Sequence, residues 1–218
     1  MKSRITKRTP RPSRPLVLLV AVFLALSLAV HAPGLTELDL RLSRWLQGFR
    51  SEVLDGAAQS LTVLGNTLPL IAFGLAAALV FFRLGLPWAA ALSAAIPPLT
   101  LSLNGLIKAL VGRPRPDEGL VDVLFAPVGL SFPSGHALVP TVVYGFLALL
   151  AWRRLSGFRR LLTTLLLVAL TVLIGLSRVY LGVHWFSDVV GGWTGGLLLL
   201  LLVTALYRAV APGEWRAP

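Results

Sequence analysis

The chain has 218 residues, of which 56% are hydrophobic and 13% are charged, and its mean hydropathy is +0.81. A soluble domain carries about 25% charged residues, so this composition excludes an ordinary soluble protein and indicates an integral membrane protein. The absence of cysteine excludes a disulfide framework, a thiolate nucleophile and a zinc–thiolate site.

Residues 1–14 are basic and rich in proline, and we predict that they form a disordered cytoplasmic tail. The apolar run from Leu16 to Val30 follows, and a basic stretch before a short apolar core is also the pattern of a cleaved signal peptide. The nearest suitable cleavage point follows Ala32, but Pro33 would then stand just after the cut. We therefore favour an uncleaved membrane anchor.

Residues 35–50 have a different pattern, in which apolar residues recur at helical spacing with charged residues between them. This pattern predicts an amphipathic helix lying at the membrane interface after the first span. An ordinary solvated helix packed on the bundle fits the same pattern equally well. The apolar positions are Leu35, Leu38, Leu42, Trp45 and Phe49.

Five further apolar segments follow, each close to the ~20 residues that a spanning helix needs. They cover residues 60–82, 86–111, 137–152, 161–179 and 187–207. Pro97 and Pro98 interrupt the second of these segments and predict a kink. With the first run, the pattern predicts an all-α protein with six transmembrane helices in one bundle, residues 15–210, followed by a C-terminal tail, residues 211–218.

The distribution of charge predicts the orientation of these spans. If the N-terminus lies inside, thirteen of the twenty Lys and Arg residues lie inside, and eight of the nine acidic residues lie outside. Both termini are then cytoplasmic, and the net charge of +11 is mostly a basic belt beside anionic lipid rather than a nucleic-acid-binding face. We expect an integral plasma (inner) membrane protein, and the composition, rich in Ala, Leu and Arg and poor in Lys, favours a bacterial source. The oligomeric state is not readable from these patterns.

Three polar clusters lie at the outer ends of the last four predicted spans, where ionisable residues are functional candidates. The first is Lys108-x6-Arg115-Pro116, and Arg178 adds a further cation. Arginine binds phosphate through a planar fork of donors, and lysine binds it as a point charge. The alternative is that these long side chains merely reach for water at a helix end, and we favour that alternative for Arg113 taken alone.

The second cluster is Pro133-Ser134-Gly135-His136, directly before an apolar segment. A Ser-Gly pair at a helix start leaves backbone N–H groups pointing outward, and with the helix dipole these form an anion site. Ser134 also suits an ordinary helix cap, which uses the same geometry. We disfavour Ser134 as a nucleophile because the Gly-x-Ser-x-Gly context is absent.

The third cluster is Ser177-Arg178-x5-His184-x3-Asp188. His184 and Asp188 share one helix face if the last span begins near His184, so the carboxylate could orient the imidazole and raise its nucleophilicity. A purely structural pair at a helix end is the alternative, and we favour it for the pair taken alone. Two histidines and one aspartate could also bind a metal, but the nearby cations would repel a metal ion and attract an anion. We expect His31 to have no role.

Together, the three clusters resemble the signature of the type-2 phosphatidic-acid phosphatase superfamily, matching its residue spacing and order across residues 108–188. The resemblance implies an integral-membrane lipid phosphate phosphatase that uses neither metal nor cofactor. It implies that His184 attacks phosphorus to form a phosphohistidine, that Asp188 orients His184, and that His136 is the general acid for the leaving oxygen. The residues implied to bind the phosphoryl oxygens are Lys108, Arg115, Ser134, Gly135 and Arg178.

A site at the outer lipid–water boundary favours a membrane lipid as the substrate over a soluble sugar phosphate. The candidates are a polyprenyl diphosphate of the undecaprenyl type, phosphatidic acid, phosphatidylglycerol phosphate and lipid A phosphates, of which we favour the first two. Alternatives are a lipid phosphotransferase on the same scaffold and a non-enzymatic lipid-binding protein; a haloperoxidase is disfavoured because those relatives are soluble. Since His136 must be protonated and His184 neutral, we expect a bell-shaped pH profile.

Overall fold

The computed structural model describes residues 14–125 and 127–216, and over these residues the chain is helical, with no strand. The expected all-α architecture is therefore confirmed, and most of the predicted N-terminal tail lies outside the described residues. The helices in chain order are α1 (Arg14–Ala29), α2 (Pro33–Gln47), α3 (Glu52–Val63), α4 (Thr67–Arg83), α5 (Pro87–Val111), α6 (Gly135–Arg154), α7 (Gly157–Tyr180), α8 (Phe186–Val210) and α9 (Pro212–Arg216).

The number of membrane spans lies between four and six. Within the described residues, the four helices α5 to α8 are long and apolar enough to cross a membrane. The count reaches six, as the sequence predicts, if α1 with α2 and α3 with α4 are each taken as one bent span. Helix α5 runs without interruption through Pro97 and Pro98.

The span predicted at 60–82 is not one continuous helix, because the chain breaks between α3 and α4 with a bend of 54°. Pro69 explains the break: a proline has no backbone N–H, and its ring clashes with the carbonyl four residues earlier, here that of Gly65. In the first turn of a helix a proline loses no hydrogen bond and causes no clash. Helix α4 accordingly starts at Thr67, with Asn66 in the cap position.

The helix predicted at 35–50 is present as α2, which lies at 99° to α1. Its polar side faces the protein: Asp39, Ser43 and Gln47 are spaced one turn apart and are buried, whereas Leu38 and Trp45 are exposed. Helix α2 therefore presents these polar groups to the protein, together with Leu46, which packs against buried residues of α7 and α8, while Leu38 and Trp45 face outward. Its location at the membrane interface stays a prediction.

Helix α6 is the centre of the bundle and packs against α5, α7 and α8. Small residues bring α6 and α8 close together, as is common between membrane helices. A Cβ atom added at Gly192 of α8 would lie 2.6 Å from the Cβ of Ala137 and 2.7 Å from the carbonyl oxygen of Ser134. This close approach places the first turns of α6 and α8 side by side, which is where the polar clusters lie.

Candidate active site

The structure brings the three polar clusters together at one end of the bundle, where four helices begin or end. The C-terminal turns of α5 and α7 and the N-terminal turns of α6 and α8 meet there, and the backbone N–H of Ser134 donates to the carbonyl of Asp188 at 3.0 Å. The predicted site residues at this end are Lys108, Arg115, Ser134, Gly135, His136, Arg178, His184 and Asp188.

Asp188 is fully buried, and hydrogen bonds hold both of its carboxylate oxygens. Oδ2 lies 3.3 Å from Nδ1 of His184 and accepts the backbone N–H of Trp185 at 2.9 Å and the hydroxyl of Ser131. Oδ1 accepts from Nη1 of Arg113 at 2.6 Å. The carboxylate is therefore fixed beside the imidazole, one helical turn after it, as the spacing of the two residues predicts.

The other nitrogen of His184, Nε2, lies 3.0 Å from Nη1 of Arg115. A guanidinium can only donate, so Nε2 is the acceptor, and the ring proton is on Nδ1, facing Asp188. Burial lowers the pKa of His184 well below 6.5, and the charges of Arg115, Lys108 and Arg178 act in the same direction. The imidazole is therefore neutral at pH 7, with its Nε2 lone pair directed towards the cations.

These cations are held by neutral groups rather than by carboxylates. Lys108 Nζ donates to the carbonyls of Leu130 at 2.6 Å and Ser131 at 2.8 Å. Arg115 donates to the carbonyl of Val183 at 2.7 Å, and its guanidinium, like that of Arg178, forms no ion pair with any residue that the structure describes. Lys108 and Arg115 are half-buried and Arg178 is buried. Because a charge removed from water without a counter-ion is costly, this arrangement attracts an anion.

Arg178 reaches the same region from α7 and is buried. Its Nη1 donates to Oγ1 of Thr62 at 2.5 Å, while its Nε has no hydrogen-bond partner among the described residues. Thr62 is in the last turn of α3, so the break between α3 and α4 places a neutral acceptor beside this arginine. The Nε–H group of the guanidinium is therefore available to a ligand.

Two further polar groups near the start of α6 are buried without partners in the described part of the chain, Oγ of Ser134 and Oδ1 of Asn104. Ser134 stands at the cap position of α6, as expected, but its hydroxyl makes no capping hydrogen bond. A Cβ atom added at Gly135 would lie 3.0 Å from Nδ2 of Asn104, so the absence of a side chain at Gly135 lets the Asn104 amide lie close to the start of α6. The first N–H groups of a helix have no intrahelical acceptors, and the hydroxyl of Ser134 can donate, so the region is suited to a hydrogen-bonding anion. Asn104 can offer an anion only its Nδ2 donor, because its Oδ1 can only accept.

His136 lies in the first turn of α6 and is half-buried. Its Nε2 is 2.8 Å from Oδ1 of Asn66. Asn66 holds the cap position of α4, yet its side chain makes no capping hydrogen bond and instead contacts this ring. Asn66 therefore orients the second histidine of the site.

The interpretation of Arg113 as a side chain reaching for water is wrong. Arg113 is only 2% exposed, and its guanidinium bridges two buried carboxylates, those of Asp39 at 2.8 Å and Asp188 at 2.6 Å. Two carboxylates in the low-dielectric interior need a positive counter-charge, and Arg113 supplies it. The ring of His31 lies 2.9 Å from the carbonyl of Val111, the last residue of α5, and its lack of a role stays a prediction.

Several residues of the site were not singled out from the sequence. Some carried a usable signal, because Asn66 and Asn104 are polar residues inside apolar segments and Asn104 is one turn before Lys108. Others, such as Asp39, carried none, because only the fold brings them close. The residues missed are Asp39, Thr62, Asn66, Asn104, Ser131 and Ser187.

The donor set of this site is that of an anion site. Across the two described stretches of chain, no three His, Cys, Asp or Glu side chains come together in a way that could hold a metal ion. The two histidines and Asp188 are instead interspersed with arginine and lysine. A neutral imidazole with an oriented carboxylate, a second histidine and a cluster of cations has the groups needed for phosphoryl transfer.

Comparison with known proteins agrees with this chemistry. The family model of the PAP2 superfamily matches residues 82–211, and the chain belongs to this family. Phosphatidylglycerophosphatase B of Bacillus subtilis (strain 168) is 33% identical over 196 residues, which are 86% of this chain and 92% of that protein. The putative undecaprenyl-diphosphatase YbjG of Escherichia coli (strain K12) is 44% identical over a shorter stretch, 37% of this chain and 36% of that protein.

Solved structures give the same result. The crystal structure of a transmembrane PAP2-type phosphatidylglycerolphosphate phosphatase from Bacillus subtilis superposes with a TM-score of 0.79 at 30% identity, covering 91% of this chain and 98% of that one. The Aquifex aeolicus LpxE structure superposes with a TM-score of 0.53 at 27% identity, covering 77% of this chain and 95% of that one. The chain is thus a phosphatase of the PAP2 superfamily and an integral membrane protein.

Proposed function

We propose that the protein hydrolyses a lipid phosphate without a metal ion, through a phosphohistidine on His184, with phosphatidylglycerophosphate as the first candidate substrate. One observation carries the proposal. Nε2 of His184 is an acceptor facing cations that no carboxylate neutralises, while Nδ1 of the same ring faces Asp188. This is the arrangement that an attacking imidazole requires.

The reaction begins when the phosphoryl group enters among the cations. Its oxygens bind Lys108, Arg115, Arg178 and the N–H groups at Ser134 and Gly135, and Arg115 moves its hydrogen bond from the imidazole to the phosphate. The freed Nε2 lone pair of His184 attacks phosphorus in line with the leaving oxygen. Asp188 accepts the Nδ1 hydrogen bond and stabilises the positive charge that develops on the ring.

Bond breaking needs a proton on the leaving oxygen, and His136 supplies it as the P–O bond breaks. The product alcohol lipid leaves, and His184 carries the phosphoryl group. His136, now neutral, takes a proton from a water molecule that attacks phosphorus, the P–N bond breaks, and inorganic phosphate departs. Both histidines then return to their starting states, so atoms and protons balance over the cycle.

Magnitudes explain why so many cations are needed. Enzymes that hydrolyse phosphate monoesters accelerate the reaction by up to ~10²¹-fold, whereas a general acid contributes about 10²–10⁴. Most of the remainder must come from positioning and from charge stabilisation of the loose transition state. Unneutralised guanidinium groups beside the start of α6 are suited to that task.

The choice of substrate rests on similarity and on one surface feature. The relative named phosphatidylglycerophosphatase B matches nearly the full length, whereas the match to the undecaprenyl-diphosphatase is shorter. An open apolar groove of about 320 Å³ between α2, α3 and α7 includes Leu61 and Ser177, the neighbours of Thr62 and Arg178. We assign this groove to the substrate's hydrocarbon chain, and a polyprenyl diphosphate is the second candidate.

We further propose that the site faces the extracytoplasmic side and that both termini are cytoplasmic. Several arginines lie at the opposite ends of α6 and α8 from His184 and Asp188, and such residues favour the cytoplasmic side, next to anionic lipid. These arginines are Arg153, Arg154 and Arg208, with Arg216 in α9.

Phosphate release by the detergent-purified protein in EDTA tests the function. The substrates are phosphatidylglycerophosphate, a polyprenyl diphosphate, phosphatidic acid and a soluble sugar phosphate, and the variants are His184→Ala and the matched control His31→Ala. We expect release from a lipid phosphate that His184→Ala abolishes and His31→Ala retains, with competitive inhibition by vanadate. Activity in His184→Ala, or a strict need for Mg²⁺, would refute the mechanism, and a phosphorylated acceptor in place of free phosphate would make the protein a phosphotransferase.

A further inference from the structure

Helix α2 contributes one buried carboxylate to the surroundings of the site, that of Asp39. This residue lies outside residues 82–211, which the family model matches. Asp39 is 1% exposed, and hydrogen bonds hold both of its oxygens. Oδ1 accepts the backbone N–H of Ser187 at 2.8 Å, and Oδ2 accepts from the Ser187 hydroxyl at 2.5 Å and from Arg113 Nη2 at 2.8 Å.

These contacts continue without a gap to the candidate nucleophile. Arg113 uses Nη2 for Asp39 and Nη1 for Asp188, at 2.8 Å and 2.6 Å. The second oxygen of Asp188 then lies 3.3 Å from Nδ1 of His184. All four side chains are almost completely buried, so the chain of contacts is shielded from water.

We propose that Asp39 is a positioning residue for His184, acting through Arg113 and Asp188. The proposal rests on the proposed function, in which His184 attacks phosphorus. Helix α2 is then part of the active-site assembly, although it brings no group to the substrate.

The geometry gives the first reason. A guanidinium is a planar fork, so fixing one nitrogen fixes the direction of the other. With Nη2 held by Asp39, only Nη1 faces Asp188, and it binds the oxygen that does not face His184. Without Asp39, the fork is free to rotate and bind both oxygens of Asp188, which would turn that carboxylate away from the imidazole.

Charge gives the second reason. Two carboxylates share the single positive charge of Arg113, so Asp188 retains much of its negative charge for the imidazolium that forms during attack. Removal of the Asp39 charge leaves the whole guanidinium charge on Asp188 and weakens that stabilisation. Both effects act on the chemical step and leave phosphate binding by Lys108, Arg115 and Arg178 unaltered.

Asp39→Asn tests the proposal, because asparagine keeps the shape and removes the charge. Glu37→Gln is the matched control: it removes an exposed negative charge two residues away on the same helix. We expect Asp39→Asn to lower kcat about ten- to a hundredfold, the range for a slightly misplaced reacting group, with KM changed less than about twofold. Glu37→Gln should match the wild type in both constants.

Ser187→Ala is the second variant, in case Asp39→Asn does not fold. It removes one of three hydrogen bonds to Asp39 and the hydroxyl that accepts from Arg113 Nη1 at 2.7 Å, and it leaves the ion pair between Asp39 and Arg113 in place. We expect kcat to fall several-fold at unchanged KM. Folding is monitored by the thermal unfolding midpoint, and rates are expressed per folded molecule.

The possible outcomes distinguish a failure of the positioning role of Asp39 from a failure of the proposed function. A wild-type kcat in folded Asp39→Asn, a change confined to KM, or a lowered midpoint with normal turnover would each overturn the positioning role while the phosphatase stands. If Asp39→Asn does not fold, a wild-type kcat in Ser187→Ala would overturn it instead. A wild-type protein that releases no phosphate from any lipid overturns the proposed function itself, and the positioning role falls with it.

Discussion

His136 and Asn66 meet at the starts of α6 and α4, where the imidazole Nε2 lies 2.8 Å from the amide Oδ1. The amide does not cap α4, so its main described contact is with the ring. We predict that Asn66→Ala lowers kcat about ten- to a hundredfold, because a general acid must be aligned with the leaving oxygen. Steady-state kinetics on the substrate identified by phosphate release measures this effect.

The thermal unfolding midpoint provides the control for Asn66→Ala. Since the side chain makes no capping hydrogen bond, the midpoint should change little, whereas loss of an ordinary cap costs about 1 kcal/mol. Asn66→Asp keeps an acceptor oxygen and should retain more activity than Asn66→Ala. Full activity in Asn66→Ala would show that His136 does not depend on this contact.

The convergence of the three polar clusters could be predicted from the sequence because each cluster flanks an apolar segment. A helix end of known direction places its flanking residues on one membrane face, so Lys108, Ser134 and His184 were expected to share a face although they are far apart in the chain. Local periodicity also places Asp188 one turn from His184, and their side chains do lie 3.3 Å apart.

The partners of Arg113 could not be predicted in this way. Asp39 is 74 residues from Arg113, and only the packing of α2 across α8 brings the two together. The helix break near Asn66, in contrast, has a local signal in the sequence, which is Pro69. The long apolar run around Pro69 obscures that signal, because the run by itself predicts a single span. Contacts between polar residues that are far apart in the chain are thus the main feature that local sequence patterns do not predict.

Asn104 gives a second prediction, which concerns binding rather than chemistry. Its buried side chain places the donor Nδ2 beside Gly135, where the phosphoryl group is proposed to bind, and an amide N–H can donate to a phosphoryl oxygen. A hydrogen bond to a charged group contributes about 1.5–3 kcal/mol, so Asn104→Leu should raise the inhibition constant of vanadate about tenfold or more. Ser102→Ala, which removes an exposed hydroxyl on the same helix, is the control. Equal vanadate inhibition in both variants would exclude Asn104 from the anion site.

The contact between α6 and α8 gives a third prediction, on stability. Alanine at Gly192 would place a Cβ 2.6 Å from Ala137 and 2.7 Å from the Ser134 carbonyl, and such overpacking costs about 1–3 kcal/mol. Alanine at Gly105 of α5 meets nothing within 4 Å and should be neutral or stabilising, because alanine favours a helix over glycine by about 1 kcal/mol. The thermal unfolding midpoint in detergent should therefore fall for Gly192→Ala and should rise or stay unchanged for Gly105→Ala. A lower midpoint in Gly105→Ala alone would contradict the packing.

The fourth prediction concerns the acid limb of the pH–rate profile. Attack requires neutral His184, and a base whose pKa is lowered stays neutral down to a lower pH. Burial and the charges of Arg115, Lys108 and Arg178 lower the pKa of His184 well below 6.5. The limb of kcat/KM that reports His184 should therefore lie below pH 6.5, and activity should not fall between pH 7.5 and 6.5 through protonation of this residue.

Arg115→Gln tests the cause of that pKa shift. The variant removes the guanidinium that contacts Nε2 at 3.0 Å, so the pKa of His184 should rise and the acid limb should move to higher pH. Activity falls as well, because Arg115 also binds the phosphoryl group, but the position of the limb is independent of its height. The substrate also titrates, since the second pKa of a phosphate monoester is about 6. This pKa is the same in both experiments, so a difference between the two acid limbs comes from the enzyme. Arg41→Gln, which changes an exposed arginine on α2, should leave the limb in place. An unmoved limb in Arg115→Gln would show that the charge of Arg115 does not set the pKa that governs the acid limb.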